Sequence, residues 1–254
     1  MPFTGANYSR NGKSIKVTLL EQDDRVSGRR ISKWITDWWN WAISSRIDGN
    51  QTDDVFFLRI TPKPSESDSP FRAEFTNSAT VLKTQSILFP CLNTMIDVGT
   101  FPSEDTHTKR ITLSKAENDA SPLDRLRCTI DTNPILGGNP LKKIRMASDE
   151  FDLEATETPL VLMDYPIPTP GVYKAATDGF FICIKDLPPD KYPYIIRINA
   201  QGVGGYVVNI LYYLYVANNE DELFDFQLKP KIEEMIKNNT MTLAQAKKNF
   251  PIAF

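Results

Sequence analysis

Histidine is nearly missing from this 254-residue chain, with a single residue, and cysteine contributes only three. Most zinc centres and any disulfide framework therefore lack their raw material. No segment reaches the roughly 20 apolar residues that a membrane-spanning helix needs. The greasiest one, 206–217, is shorter and is interrupted by Asn209. A basic surplus is missing as well: 29 Lys and Arg stand against 32 Asp and Glu, a formal charge of −3. Nothing in that balance neutralises a run of phosphates, so nucleic acid is excluded as the main partner. The first residues are polar and contain no apolar core of a signal peptide, so no secretory signal is expected. Cys91, Cys128 and Cys183 are odd in number and lie in strand-like contexts. They read as buried free thiols, not adjacent to one another, in a protein made in a reducing compartment.

What is present reads mostly at period two. Ile15, Val17 and Leu19 alternate with polar residues, as do Phe71, Ala73 and Phe75, then Leu126, Cys128 and Ile130, then Phe151, Leu153 and Ala155. Such alternation marks half-buried strands. Segments 55–60, 179–184, 194–198 and 206–216 are nearly continuous β-branched and aromatic runs, suited to inner strands. Turn residues separate them, and the 18 prolines outnumber the 12 glycines. The pattern predicts an all-β fold: an antiparallel, jelly-roll-like β-sandwich of roughly ten strands.

Two segments break this rhythm. Ile31, Trp34, Ile35, Trp38 and Ala42 recur at helical spacing, which predicts an α-helix over about 31–43 packed on the sandwich, with Ser27 or Asp24 capping its start. It holds all four tryptophans, and Trp41 projects from the main stripe, so Trp41 is the member expected to face a partner or ligand. After Val216 the chain turns acidic and then takes on helix formers. The division expected is a sandwich domain over 1–217 and a partly helical C-terminal arm over 218–254, too short to own a core. Phe224, Phe226, Phe250 and Phe254 are the arm's candidate contacts with a neighbouring molecule.

Chemistry-bearing motifs are few in the chain. Gly12-Lys13-Ser14 would need a glycine at position 7 to be a phosphate loop, and Asn7 stands there. Gly202, Gly204 and Gly205 lie between two strand patterns and read as a hairpin, not a dinucleotide loop. His107 sits in a polar stretch that reads as a solvated loop. No catalytic, cofactor-binding or metal-binding residue is assigned, and no cofactor is expected. The three Asn-x-Ser/Thr matches at Asn7, Asn50 and Asn238 are close to chance.

Four segments taken in order carry a resemblance. They are Trp34-x-x-x-Trp38-Trp39-x-Trp41-Ala42, Ile87-Leu88-Phe89-Pro90-x-x-Asn93, Asp178-Gly179-Phe180-Phe181 leading to Leu187-Pro188-Pro189, and Tyr212-x-Leu214-x-Val216. Over Gly28 to Val216 the chain resembles a family of largely uncharacterised, usually secreted β-rich proteins with an N-terminal W-x-x-x-W-W-x-W-A helix. The resemblance implies a β-rich scaffold and assigns no catalytic residue. The chain differs from the family in its leader, in a longer N-terminal segment and in the C-terminal arm.

The function expected is that of a non-catalytic structural or interaction protein, a subunit of a larger assembly such as a viral capsid or vertex component. Its partners would be other protein subunits, copies of itself included, and its location the virion. Two alternatives are a carbohydrate-binding β-sandwich, suggested by nine Tyr and four Trp, and a glycoside hydrolase using two carboxylates. Buried tryptophans would count against the first, and the second needs a cleft holding a perturbed acid pair.

Overall fold

The computed structural model describes residues 3–43, 54–58, 72–135, 141–156, 169–205, 207–227, 237–238 and 242. The described residues are mostly β, with 52% of them in strands. The first strands are β1 (Phe3–Arg10), β2 (Lys13–Leu20), β3 (Arg25–Val26) and β4 (Arg29–Arg30), which runs into helix α1 (Ile31–Ile43). Then come β5 (Val55–Phe57), β6 (Arg72–Leu82), β7 (Ser86–Asp97), helix α2 (His107–Asp119), β8 (Arg127–Ile130) and β9 (Asn133–Pro134). The remainder are α3 (Leu141–Ile144), β10 (Arg145–Ala147), β11 (Phe151–Ala155), β12 (Gly171–Lys185), β13 (Asp190–Gln201), β14 (Val207–Ala217) and α4 (Glu220–Gln227).

Two main sheets result. In the first the order is β1-β2-β12-β7-β5, and β12 is its axis. One edge of β12 pairs with β7; the other is shared by β11 at Gly171–Ala175, β10 at Asp178–Phe180 and β2 at Cys183–Lys185. The second sheet has the order β6-β14-β13-β8-β9. The expected hairpin at Gly202–Gly205 is there, joining β13 to β14. Pairing is not wholly antiparallel as expected: β6 runs parallel to β14, and β5 parallel to β7. A period of two fixes which side chains share a face but says nothing about the direction of the neighbouring strand.

Alternate residues Ile196, Ile198 and Ala200 of β13, and Val208, Ile210, Tyr212, Leu214 and Val216 of β14, turn inward and join the first sheet and α1 in one contiguous apolar core. This makes the arrangement sandwich-like. Across the layers Cys91 of β7 and Cys128 of β8 come close enough that the Cys91 thiol helps to hold the Cys128 thiol well above its ordinary value. The two were expected to lie apart; facing positions on opposed sheets bring them together over 37 residues of sequence. All three cysteines are free and buried.

Helix α1 lies on β7, β11 and β12. Its tryptophans are buried, Trp38 at 1% exposure and Trp41 at 6%. The expectation that Trp41 faces outward is thereby corrected. Its ring rests 5.8 Å from Phe57 and 6.3 Å from Trp38, because β5 covers the side of the helix that a single apolar stripe would leave open. At the start of α1 the cap is neither proposed side chain: the Asp24 carbonyl accepts the Ile31 N–H at 3.0 Å. The Asp24 carboxylate binds the Glu21 N–H instead.

Helix α2 was not expected at all. Its buried face is polar, made by Arg110, Ser114 and Asn118 at four-residue steps. An apolar stripe is the signal by which a surface helix is recognised, and here there is none. His107 is thus the first residue of a helix capped by Thr106, whose hydroxyl accepts the Lys109 N–H, and not part of a loop.

Candidate functional site

Three of the four motif segments, in α1, β7 and β12, meet at one place, where α1 and α2 contact the middle of β7 and β12, while the fourth lies in β14 of the other sheet. The Trp39 indole N–H donates to Thr177 Oγ1 at 3.1 Å, and that hydroxyl donates to the Thr94 carbonyl at 2.8 Å. Ser114 of α2 reaches the same point, donating to the Thr94 carbonyl at 2.7 Å and accepting from the Asp178 N–H at 2.7 Å. One helix hydroxyl therefore links the two strands. Asn118 Nδ2 donates to the Asp178 carbonyl at 2.7 Å, the Ser148 N–H donates to the Thr177 carbonyl at 2.9 Å, and the Ser148 hydroxyl accepts the Thr177 N–H at 3.0 Å.

The Asp178 carboxylate is 2% exposed and is held by Arg145, whose Nε and Nη2 donate to Oδ1 at 2.9 and 2.8 Å. The guanidinium also lies 5.7 Å from the Phe180 ring centre. Next along β12, Gly179 packs on Asn93 of β7, and Phe181 meets Trp38 edge-on at 6.3 Å. A buried carboxylate is tolerable only when paired in this way. Most polar groups here cement helices to strands, while Asn93 Nδ2 and Asn118 Oδ1 are buried without a hydrogen-bond partner.

A second constellation closes an open side between the sheets. Arg10 at the end of β1 donates from Nε to Asp190 at 3.2 Å, from Nη1 to Asp131, and from Nη2 to the Tyr192 and Pro193 carbonyls at 2.9 Å each. Its guanidinium stacks 4.2 Å from the Tyr194 ring centre. Tyr8 donates to Asp131 at 3.0 Å, and Asp131 also accepts the Ile195 N–H. Burial, then the Asp131 charge and hydrogen bond, push the Tyr8 phenol far up. Burial pushes Tyr194 up to about 12. Burial works against the Asp190 carboxylate, yet the Tyr192 N–H and Arg10 hold it below its ordinary value. Together these groups clasp β1 to β13.

Among the described residues no group of three or more His, Cys, Asp or Glu is placed to hold a metal ion, and no helix is long and apolar enough to cross a membrane. No family model, curated protein or solved structure matches the chain. Of the motif residues, the four tryptophans, Phe180, Phe181, Tyr212 and Leu214 are buried, while Asn93, Pro188 and Pro189 are partly exposed.

Of the expected contact residues, Trp41 is buried and is not displayed to a partner. Phe224 and Phe226 fall in α4, which packs against β6 and β14 and is capped by Asn219 Oδ1 on the Glu222 N–H at 2.9 Å. Phe250 and Phe254 lie outside the described residues. With Trp34, Trp38, Trp39 and Trp41 all buried, no tryptophan offers its face to a sugar. Sequence reading missed Arg145, Ser114 and Asn118. Each is an ordinary polar residue whose role exists only once distant strands are side by side.

Proposed function

We propose that the protein is a non-catalytic structural subunit of a larger assembly, such as a viral capsid or vertex component, kin to the W-x-x-x-W-W-x-W-A family and built on a jelly-roll-like version of the two-sheet fold. The jelly-roll version is supported by the path of the chain, which leaves the first sheet after β7 for β8, returns for β10 to β12, and crosses again for β13 and β14. A structural role is supported by the use made of the distinctive residues: tryptophans, Asn93 and the Asp178–Phe181 run stiffen the body and leave nothing poised for chemistry.

The observation that carries the reading is the point at which the arm departs. Helix α4 leaves along β6 and β14, at the edge of the second sheet, where β6 has a strand partner on one side only among the described residues. Open-ended strand addition at that edge is opposed, because the Ser78 N–H is taken by Asn77 Oδ1 at 2.8 Å and the Leu82 N–H by Gln85 Oε1 at 2.9 Å. The neighbouring molecule is therefore met through the arm and not by extending the sheet.

Truncation after Gln227 tests this, since it keeps α4 on its own sheet. Light scattering on the full chain is expected to give an oligomer and on the truncated chain a folded monomer. A full chain that is monomeric at high concentration, or a truncated chain of unchanged oligomeric mass, overturns the reading.

A further inference from the structure

Arg25, Arg29, Arg30 and Lys33 fall within nine residues of a chain whose net charge is negative. They are brought to one side of a cleft by a tight hairpin. Ser27 and Gly28 both take positive φ, 50° and 79°, the two-residue turn that matches the twist of antiparallel strands. This sets Arg25 directly opposite Arg30 and leads without a break into the first turn of α1. Like charges in direct cross-strand opposition cost stability. The hairpin is exposed and small, with no core of its own to compensate.

The cleft has a volume of about 360 Å3 and is lined by these four cations, by Gln22 and Ser32, and by a single carboxylate, Asp149. Its far wall is tied down, since the Ala147 N–H donates to Gln22 Oε1 at 3.3 Å. Arg29 is anchored by stacking 4.3 Å from the Trp34 ring centre and by Asp37 at 2.7 Å. Lys33 meets Asp149 at 2.6 Å and Arg30 meets Asp23 at 3.7 Å, both pairs in solvent. Exposed pairs of this kind contribute little to stability and exchange readily for a better anion. The Arg25 guanidinium bonds the Gly28 carbonyl and has no carboxylate partner among the described residues.

We propose that this cleft is a binding site for a tetrahedral, doubly charged oxyanion of phosphate type, carried by a small phosphate compound or by a phosphorylated side chain of another protein. Three arginines favour this class, because their planar forks pair two oxygens at a time. With Asp23 and Asp37 counted, four cations stand against three carboxylates, and the exposed pairs leave those cations available to a dianion that several of them can share. The helix start adds little, as the Ile31 and Ser32 N–H groups are already taken by the Asp24 and Gln22 carbonyls. The site involves neither the arm nor α4 and stands independently of the assembly reading.

Calorimetric titration of the full chain at constant ionic strength tests it, using inorganic phosphate, a phosphoserine peptide and the same peptide with glutamate. Binding of phosphate is expected, or of the phosphoserine peptide alone if the oxyanion comes from a protein. Glutamate should bind at least tenfold more weakly. The double substitution Arg25→Gln/Arg30→Gln should lower affinity at least tenfold, and Lys33→Met, on the exposed side of α1, should do so severalfold if the double variant does not fold. Arg125→Gln, outside the cleft, should change nothing. Absence of heat with both phosphate and phosphopeptide, equal binding of glutamate, or full affinity in the folded variants overturns the assignment.

Discussion

Gly179 of β12 and Asn93 of β7 approach so closely that a Cβ on the glycine would stand 2.4 Å from the Asn93 Cβ and 2.6 Å from its Cα. No flexible side-chain end is there to yield; the obstacles are backbone and the first side-chain carbon. The glycine is needed for space, not for an unusual φ. Gly179→Ala should therefore push two central strands apart and lower stability by about 1–3 kcal/mol or more, the range of core overpacking. Denaturant unfolding with an unchanged midpoint would show that the strands are less tightly apposed.

Ser114 joins the Asp178 N–H to the Thr94 carbonyl. Ser114→Ala leaves a buried donor and one of the acceptor's bonds unmet, so a loss of about 1–3 kcal/mol is expected in the same unfolding experiment. Ser114→Thr, which restores a hydroxyl, should recover part of it. A neutral Ser114→Ala would mean that water replaces the hydroxyl.

The clasp around Arg10 makes stability fall at both ends of the pH scale. Folding lowers the Asp190 value, so its contribution is present above the ordinary carboxylate value of 3.8 and is lost as pH falls below it. Folding raises Tyr8 and Tyr194, so their contribution is present below the ordinary phenol value of 10.0 and is lost as pH rises beyond it. Stability measured against pH should be flat between about 5 and 9 and decline on either side. Asp190→Asn should soften the acid decline and Tyr8→Phe the alkaline one. A profile whose alkaline decline is identical in Tyr8→Phe would remove Tyr8 from the clasp.

The thiols give a chemical check on the facing of the sheets. Burial, reinforced by the Cys91 thiol, holds the Cys128 thiol protonated, and burial does the same for Cys183. Native protein should react with a thiol reagent only on the timescale of unfolding, and denatured, unreduced protein should yield all three thiols. Recovery of one thiol instead would show that Cys91 and Cys128 had joined.

Several strands were legible in the chain from alternation or from β-branched and aromatic runs, although β1 and the central β7 were not among them. Lys13–Leu20, Phe151–Ala155 and Val207–Ala217 announce themselves without help from any neighbour. Helix α1 was equally legible, since tryptophans at helical spacing have one regular structure that gathers them. What the chain could not announce is anything that depends on a partner distant in sequence. The parallel run of β6 beside β14, the polar seat of α2, the meeting of Cys91 with Cys128 and the burial of Trp41 all follow from which surfaces come to face one another. Local periodicity reports how a segment divides apolar from polar. Only the packed structure decides what covers each side, and so which polar residues are fasteners and which remain free to bind.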